Sequence, residues 1–290
     1  MTDHTQTQTK EVEAVQTQIR MQASILASSG VDPWRVLLAG DWHGNLGWAL
    51  RVVDHAADVH AEVIVHVGDF GIWQGSAGMK YLRRLDQRLT ERGLRLVFVD
   101  GNHENHDLLA TYPVGADGTT PITATIRHLP RGHRWVWHGH IWLALGGATS
   151  LDRDVRVPWV DWWAGEAITA AQAARVIADG PVDIMLCHDA PAGVPRLEQR
   201  IGPNPQGFPA EALLSAHQHR MLLRAVVDAV RPCQLWHGHY HWAYHDELVL
   251  DDSHRVQVTG LDMDATTLEL NTAILDLDYA HLPRRFGMPL

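Results

Sequence analysis

Apolar positions in the first half of the chain alternate between short continuous runs and longer amphipathic stretches. The short runs are rich in Val, Ile and Leu, which is typical of buried strands, and the longer stretches repeat with the period of a helix. The pattern predicts three strands and two helices, in the order Arg35–Ala39, Leu46–Val59, Val63–Val67, Met79–Glu91 and Leu94–Val99. Strands that alternate with helices indicate a parallel sheet with crossover helices.

The second half of the chain predicts antiparallel hairpins first, and then a return to alternating helices and strands. Closely spaced apolar runs predict the hairpins, at Ile126–Leu129, Trp135–Trp137 and Ile141–Leu145. Two helices are predicted, at Ile168–Ala178 and Ala210–Val230. The second helix ends before Pro232 because proline cannot continue a helix. The remaining strands are predicted at Asp183–Cys187, Gln234–Trp236, Leu248–Leu250, Val256–Thr259 and Thr272–Leu277.

The domain organisation follows from this pattern, since no repeat and no linker interrupts it. Residues 31–290 are therefore expected to form a single domain. Residues 1–30 are rich in Gln, Thr and Ser with little apolar content, so we expect a flexible N-terminal tail.

Composition narrows the classes of partner and compartment. The 290 residues carry a formal net charge of −10, which disfavours binding to duplex nucleic acid. No apolar run reaches membrane-spanning length and no secretory signal pattern is visible, so no membrane partner is expected. The two cysteines, Cys187 and Cys233, form no disulfide framework or metal-binding spacing. We therefore expect a cytoplasmic protein.

Polar motifs follow five of the predicted strands, where each strand ends. They are Gly40-Asp41-Trp42-His43-Gly44, Gly68-Asp69, Gly101-Asn102-His103-Glu104, Cys187-His188-Asp189 and Gly238-His239-Tyr240-His241. Ligands collect at the carboxyl edge of open α/β sheets, so these side chains are expected to converge. Carboxylate, amide and imidazole without thiolate suit divalent Mn, Fe or Zn.

Each motif taken alone has an ordinary structural explanation. Asp69 fits a turn or a helix N-cap, Asn102 fits an Asn-rich turn, and His188 fits a satisfied core histidine. Five such signals at five strand ends favour a shared metal site. A similar motif, Trp137-His138-Gly139-His140, falls at an expected hairpin turn, so we expect neither His138 nor His140 to bind metal.

Taken together, the five motifs resemble those of the calcineurin-like metallophosphoesterase superfamily, over roughly residues 34–277. The resemblance implies an α/β fold, a four-layer αββα sandwich of two mixed sheets flanked by helices. It also implies two divalent metal ions, for which Mn, Fe or Zn are the candidates and Mn is favoured in vitro. Carried over residue by residue, Asp41, His43 and His241 would hold the first metal, Asn102, His188 and His239 the second, and Asp69 would bridge both.

The same resemblance implies a reaction. A dinuclear centre would activate a water molecule as hydroxide to attack phosphorus in line with the leaving oxygen. His103 matches the catalytic histidine of the family, which would stabilise developing charge and protonate the leaving group, and Asp69 is the other catalytic candidate.

The chain departs from the family's protein phosphatases just after the bridging aspartate. Those members carry Asp and Arg three and four positions later, where this chain has Ile72 and Trp73. A phosphate clamp and the usual partner of His103 are therefore missing. Arg153 and Arg156, in a loop that resembles one in small bacterial and phage members, are the substitute phosphate ligands. Salt bridges to Asp152, Asp154 or Asp161 are the alternative.

These departures indicate a substrate class. Trp73 and other tryptophans beside the motifs either pack in the core or line the pocket, where one can stack on a base. We expect a phosphodiesterase acting on a small phosphoester, a nucleotide or cyclic nucleotide. A phosphomonoesterase, including a protein phosphatase, is the first alternative, and a non-catalytic metal-binding scaffold is the second.

Overall fold

A computed structural model describes residues 32–202, 204 and 206–277, and its strands form two six-stranded sheets. The strands are β1 (Arg35–Ala39), β2 (Val63–His66), β3 (Arg95–Phe98), β4 (Thr120–Pro121), β5 (Ile126–His128), β6 (Arg134–Trp137), β7 (His140–Leu145), β8 (Ile184–Cys187), β9 (Gln234–His237), β10 (Tyr244–Asp251), β11 (His254–Gly260) and β12 (Thr272–Asp276). The α-helices are α1 (Leu46–Asp58), α2 (Gly75–Arg92), α3 (His106–Leu109), α4 (Ala170–Ala178), α5 (Pro195–Ile201), α6 (Ala210–Val230) and α7 (Leu268–Asn271).

Both sheets are mixed. The first has the order β12-β1-β2-β3-β5-β4, with a parallel centre from β1 to β5 and an antiparallel strand at each edge. The second has the order β10-β11-β9-β8-β7-β6, again parallel at its centre and antiparallel at both edges. The predicted parallel core with crossover helices is therefore confirmed, and it is present in each sheet.

Alternation along β1 shows how the layers stack. Its side chains point to opposite faces in turn. Leu37 and Ala39 pack in a core shared with α1 and α2, whereas Val36 and Leu38 pack in a second core between the two sheets. Because both faces of the strand are buried, its sequence is continuously apolar rather than alternating.

The second sheet repeats this arrangement on the other side. In β8, Met185 packs with α4 and α6, while Ile184 and Leu186 face the core between the sheets. Trp135 and Trp142 stack in that central core with ring centroids 5.5 Å apart. The order of layers is helices, sheet, sheet, helices, which confirms the expected αββα sandwich.

Local signals set the helix ends. The Asn45 side chain caps α1 by accepting from the backbone N–H of Trp48 (3.1 Å). The α4 helix begins with a capping box formed by Thr169 and Gln172. As the sequence predicts, α6 ends before Pro232. Its last residue, Val230, is followed by Arg231 in a left-handed conformation (φ 50°).

One sequence expectation is confirmed only in part. Residues Ile126–Leu129 are expected in an antiparallel hairpin, and β5 does pair antiparallel to β4. On its other side, however, β5 pairs parallel to β3 in the first sheet and does not join β6 and β7. The turn at Pro130 and Gly132 (φ 92°) carries the chain across to the second sheet. The expected hairpin between β6 and β7 is present, with His138 (φ 46°) and Gly139 (φ 78°) at its turn.

Other differences concern element length and number. The α2 helix begins at Gly75, four residues before the predicted start, since its first turn is too polar to show helical periodicity. The β10 strand runs over Tyr244–Asp251, longer than predicted, and α5 was not predicted. The expected tail, residues 1–30, lies outside the described residues, and the single domain over residues 31–290 stays a prediction.

Among the described residues, no helix combines the length and apolar character that crossing a membrane requires.

A buried ion pair fixes the end of β3 against the loops that follow β7. Asp100 accepts from Arg131 at Nε (2.8 Å) and Nη2 (2.6 Å), and His128 lies 3.1 Å away. Arg131 also donates to three backbone carbonyls, those of Gly165, Glu166 and Ala167. Burial raises the pKa of Asp100, but Arg131 and His128 outweigh it and hold the pKa below its usual range.

We expect Asp100→Asn to lower the free energy of unfolding by about 3–5 kcal/mol at pH 7, because it leaves a buried guanidinium uncompensated. A depressed pKa contributes stability above about pH 4 that is lost as the pH falls, so the difference from wild type narrows in acid. Urea unfolding at pH 7 and at about pH 2.5, below the ordinary pKa of an aspartate (about 3.9), measures both effects.

The control is Asp276→Asn, which removes the more exposed pair with Arg35 (2.6 Å) and should cost less than about 1 kcal/mol. Equal losses for the two variants would contradict the importance of the buried pair.

Candidate metal centre

The five motifs converge at the carboxyl edges of both sheets. The predicted ligands follow β1, β2 and β3 in the first sheet and β8 and β9 in the second. Left-handed backbone occurs at His43 (φ 46°), Asp69 (φ 55°), His239 (φ 69°) and His241 (φ 49°). This conformation is rare outside glycine, and such strain concentrates at functional sites.

Glycine at position 68 allows two of these loops to touch. Gly68 adopts φ 105°, which L side chains rarely adopt. A Cβ atom at this position would also overlap the His188 ring, which comes from the other sheet. The Gly-Asp step is therefore required for close approach of the two sheets.

The first cluster of ligand atoms joins Asp41, His43 and His241, whose nearest donor atoms all lie within 4.8 Å of one another. Asp41 Oδ2 is 3.2 Å from His241 Nε2, and the His43 and His241 rings lie 5.0 Å apart at 90°. These are the three residues that the family resemblance assigns to the first metal.

The second cluster surrounds Asp69. Its Oδ2 atom lies 3.3 Å from His188 Nε2, 3.5 Å from His43 Nε2 and 3.9 Å from His103 Nε2. Asn102 Oδ1 is 3.1 Å from His188 Nε2. Asp69 Oδ2 is buried and accepts no hydrogen bond, although imidazole nitrogens surround it. An unpartnered carboxylate oxygen with nitrogen donors around it fits a bridging metal ligand, and the O,N donor set fits divalent Mn, Fe or Zn.

His239 lies beside Asp41 and His188. Its backbone N–H donates to Asp41 Oδ2 (3.0 Å), and its ring lies 5.1 Å from the His188 ring. It does not belong to the tight donor clusters around Asp41 and Asp69. The structure thus places all seven predicted ligands in one region, with His239 the least closely packed against the carboxylates.

Two buried carboxylates dominate the electrostatics of the site. Burial lowers the pKa of His188, but Asp69 and Asp41 reverse this and raise it to about 10. Burial likewise opposes Asp69 and Asp41 at His43, whose pKa is raised to about 9. At His239 burial outweighs the opposing effect of Asp189, Asp69 and Asp41 and lowers the pKa to about 4. The carboxylates therefore attract a positive charge, supplied by protons when no cation is bound.

Hydrogen bonds behind the ligands fix the ring nitrogen that faces the centre. His43 Nδ1 lies 2.9 Å from Asp264, and His188 Nδ1 donates to the Val67 carbonyl (2.9 Å). Each ring therefore turns Nε2 toward Asp69. Such partners orient metal-binding histidines and fix their tautomers.

A second chain of hydrogen bonds orients Asn102. Its Nδ2 donates to Ser150 Oγ (3.0 Å), and Ser150 donates to Glu166 (2.5 Å). The amide oxygen consequently points toward His188. Sequence reasoning missed Asp264, Ser150 and Glu166, and no short-range motif marks them.

His103 lies between two groups from different loops. Arg156 Nη2 is 2.9 Å from its Nε2 and Arg156 Nη1 is 3.1 Å from its Nδ1, while Trp73 Nε1 donates to its backbone carbonyl (3.2 Å). Burial lowers the pKa of His103, Asp69 opposes this, and Arg156 lowers it further. The guanidinium of Arg156 thus lies directly against the His103 ring.

The two candidate arginines are placed differently. Arg156 also pairs with Asp152 (2.8 Å), so it makes both the contact with His103 and the salt bridge considered as the alternative. Arg153 lies over the Trp162 ring (5.8 Å) and 3.8 Å from Asp154. The structure does not bring Arg153 into contact with the ligand clusters.

Tryptophans beside the motifs divide between core and rim. Trp42 and Trp236 are buried and Trp242 stacks on Tyr244 (4.6 Å), whereas Trp73 is 37% exposed next to His103. The loop that carries Arg156 adds four further exposed apolar side chains, which are Val155, Val157, Trp159 and Val160.

The look-alike motif lies elsewhere. His138 Nε2 bonds to the carbonyl oxygen of Asp32 (3.0 Å) at the opposite edge of the sandwich. Neither His138 nor His140 belongs to the close groups of metal-binding side chains in the described part of the chain.

Comparisons with solved structures give matches at low identity, one of which, with a TM-score of 0.52, supports the fold. A Thermus thermophilus protein, TT1561, is 15% identical with TM-score 0.44, over 79% of this chain and 89% of that one. A dimetal phosphatase from Danio rerio is 14% identical with TM-score 0.48, over 80% and 88%. A further crystal structure is 13% identical with TM-score 0.52, over 84% and 95%. No protein with a curated functional record matches the chain.

A family model gives the more specific result. The model for calcineurin-like phosphoesterases matches residues 35–221, more than half of the 290 residues. That range contains four of the five motifs and the loop of Arg156. Together with the αββα sandwich and the convergent carboxylates and histidines, this match shows that the chain belongs to the calcineurin-like phosphoesterase family, a family of metal-dependent phosphoesterases.

Proposed function

We propose that the protein is a phosphodiesterase that hydrolyses small nucleotide or cyclic-nucleotide substrates at a dinuclear metal centre. The observation that carries the proposal is the pair of buried carboxylates, Asp41 and Asp69, each surrounded by imidazoles from both sheets. A site that concentrates negative charge in this way requires cations, and family membership supplies the reaction class.

The ligand assignment follows the family resemblance, and the cluster of Asp41, His43 and His241 supports its first half. Asp41, His43 and His241 would hold one cation, and Asn102, His188 and His239 the other; Asp69 would lie between them. When bound, two divalent cations polarise a phosphoryl oxygen and lower the pKa of a water molecule. The chain contributes a buried, preorganised donor set that needs little rearrangement to accept them.

His103 is the residue we assign to the leaving group. It is one-third exposed, lies beside Asp69, and is not needed to complete either ligand set. Its lowered pKa makes the protonated ring a stronger acid, which favours proton delivery to an alkoxide. Arg156 and Trp73 hold the ring and its backbone in place.

The rim supports a diester substrate with an aromatic group. The guanidinium next to His103 already pairs with Asp152, so its charge is partly compensated. A monoanionic diester requires less positive charge than a dianionic monoester. Trp73 and the exposed loop at Trp159 offer apolar surface on which a base can stack.

A phosphomonoesterase is the second candidate, and Arg156 is the observation that favours it. A guanidinium beside the catalytic histidine can clamp a terminal phosphoryl group bidentately. Arg153, which faces Trp162, is a weaker candidate for this contact. Comparing matched diester and monoester substrates distinguishes the two functions.

We expect Asp69→Asn to abolish hydrolysis and to lower bound metal below one ion per chain, because the amide loses the charge shared by both clusters. The measurements are metal content after gel filtration and the rate with bis(p-nitrophenyl) phosphate and Mn²⁺. Asp276→Asn, at the other end of the fold, is the isosteric control and should retain both. Two metals per chain in an active Asp69→Asn protein would refute the assignment.

We expect His103→Ala to retain both metals and to lower kcat by about 10²–10⁴-fold for substrates with a ribose leaving group. A nitrophenolate leaving group needs no proton, so its loss should be much smaller. Steady-state rates for a cyclic nucleotide and for bis(p-nitrophenyl) phosphate test this. Equal losses for both substrates would exclude a general-acid role.

We expect kcat/KM for 2′,3′-cyclic nucleotides and bis(p-nitrophenyl) phosphate to exceed that for nucleoside monophosphates and p-nitrophenyl phosphate. Replacing Trp73 or Trp159 by Ala should raise KM for cyclic nucleotides about five- to a hundredfold, the range of one lost stacking contact. Trp34→Ala removes an exposed tryptophan (57%) at the opposite edge and should leave KM unchanged. A preference for monoesters would establish the second candidate instead.

A further inference from the structure

A tyrosine separates the last two predicted metal ligands. Tyr240 lies between His239 and His241, both of which adopt left-handed backbone. Its hydroxyl donates to Asp189 Oδ1 (2.5 Å), and its ring packs against that of His239 with centroids 5.0 Å apart. Asp189 directly follows His188, a ligand from the neighbouring strand.

The other oxygen of Asp189 is held from a helix. Asp189 Oδ2 accepts from His219 Nδ1 on α6 (2.7 Å), and His219 Nε2 accepts from the backbone N–H of Ile168 (3.2 Å). The Ile168 N–H can only donate, so it fixes His219 in the tautomer that donates from Nδ1. Asp189 is 1% exposed and His219 is 6% exposed, so water does not compete for these bonds.

From these contacts we propose that Tyr240, Asp189 and His219 form a positioning chain that sets the place of His239 and His241 in the metal centre. The proposal rests on the metal-binding role assigned above. Two left-handed histidines in one short turn store strain that the surrounding structure must hold. The hydrogen bond from the Tyr240 hydroxyl to Asp189 ties this turn to the end of the neighbouring strand β8, which carries His188.

The positioning chain of Tyr240, Asp189 and His219 requires a carboxylate at position 189. Both neighbours, Tyr240 and His219, present a proton to it, and the backbone N–H of Ala190 donates a third time (2.7 Å). An amide in its place would turn an N–H toward one of these donors. Asp189→Asn should therefore weaken the same contact that Tyr240→Phe removes.

The test compares two tyrosine-to-phenylalanine variants, each of which removes one short hydrogen bond between side chains. Tyr240→Phe breaks the bond to Asp189, and Tyr244→Phe breaks a bond of similar length to His237 Nε2 (2.7 Å), outside the ligand turn. Each purified protein is stripped with a chelator and titrated with Mn²⁺. We expect Tyr240→Phe to weaken Mn²⁺ affinity about 10- to 100-fold, as is usual for partners of metal ligands, and Tyr244→Phe to change it less than about twofold.

A double-variant cycle separates positioning from general destabilisation. If Tyr240 and Asp189 act through one bond, adding Tyr240→Phe to Asp189→Asn should weaken Mn²⁺ affinity little further. Tyr244→Phe should instead add its own small effect to either. Urea unfolding of the metal-free proteins is measured alongside, and the stability losses of Tyr240→Phe and Tyr244→Phe should be similar.

Three outcomes would overturn the inference: unchanged Mn²⁺ affinity in Tyr240→Phe, equal weakening in Tyr244→Phe, or full additivity of Tyr240→Phe and Asp189→Asn. Failure of the proposed function has a different signature. In that case the wild-type protein itself binds no Mn²⁺ and hydrolyses no phosphoester, whatever the variants do.

Discussion

The burial of two carboxylates at one point is the constraint on which the rest of the structure depends. Asp41 and Asp69 are 0% and 1% exposed, and adjacent buried anions are costly unless positive charge compensates them. His43 and His188 supply it as protonated rings, with pKa values raised to about 9 and 10. A cation that binds there must displace those protons, so its affinity increases as the pH rises. The two buried carboxylates therefore favour positive charge, whether protons or a cation supply it.

The sandwich makes this burial possible because it brings two carboxyl edges together. Asp41, Asp69 and Asn102 come from the first sheet, and His188 and His239 from the second. The first sheet supplies both carboxylates together with His43 and His103, and the second sheet adds His241 to the imidazoles around them. The central core between the sheets, with its stacked tryptophans, fixes the distance across which the two sets meet. A change that disturbs the packing of that core is consequently expected to alter the geometry of the site as well.

Local patterns in the sequence were sufficient to predict most of the strands and the polar side chains that converge after them, since strand ends can be located from apolar runs. The groups that orient these side chains could not be predicted from local patterns. Asp264 bonds to His43 across 221 positions, and Glu166 reaches Asn102 only through Ser150. Arg156 shows the same limit: its sequence neighbour Asp152 suggested a surface pair, and only the fold shows that the guanidinium also contacts His103. Loop conformation decides such contacts, and apolar periodicity carries no information about it.

The motif around His138 shows why position in the sheet outweighs residue pattern. Its sequence, Trp137-His138-Gly139-His140, repeats Trp236-His237-Gly238-His239, with a histidine on each side of a glycine. Yet β7 runs parallel to β8, so the turn before β7 lies at the amino edge, away from the end of β8 where His188 stands. His138 there bonds to Asp32, which precedes β1 at the same edge. A histidine joins the candidate site in this fold when its strand delivers it to the carboxyl edge, where two buried carboxylates require positive charge.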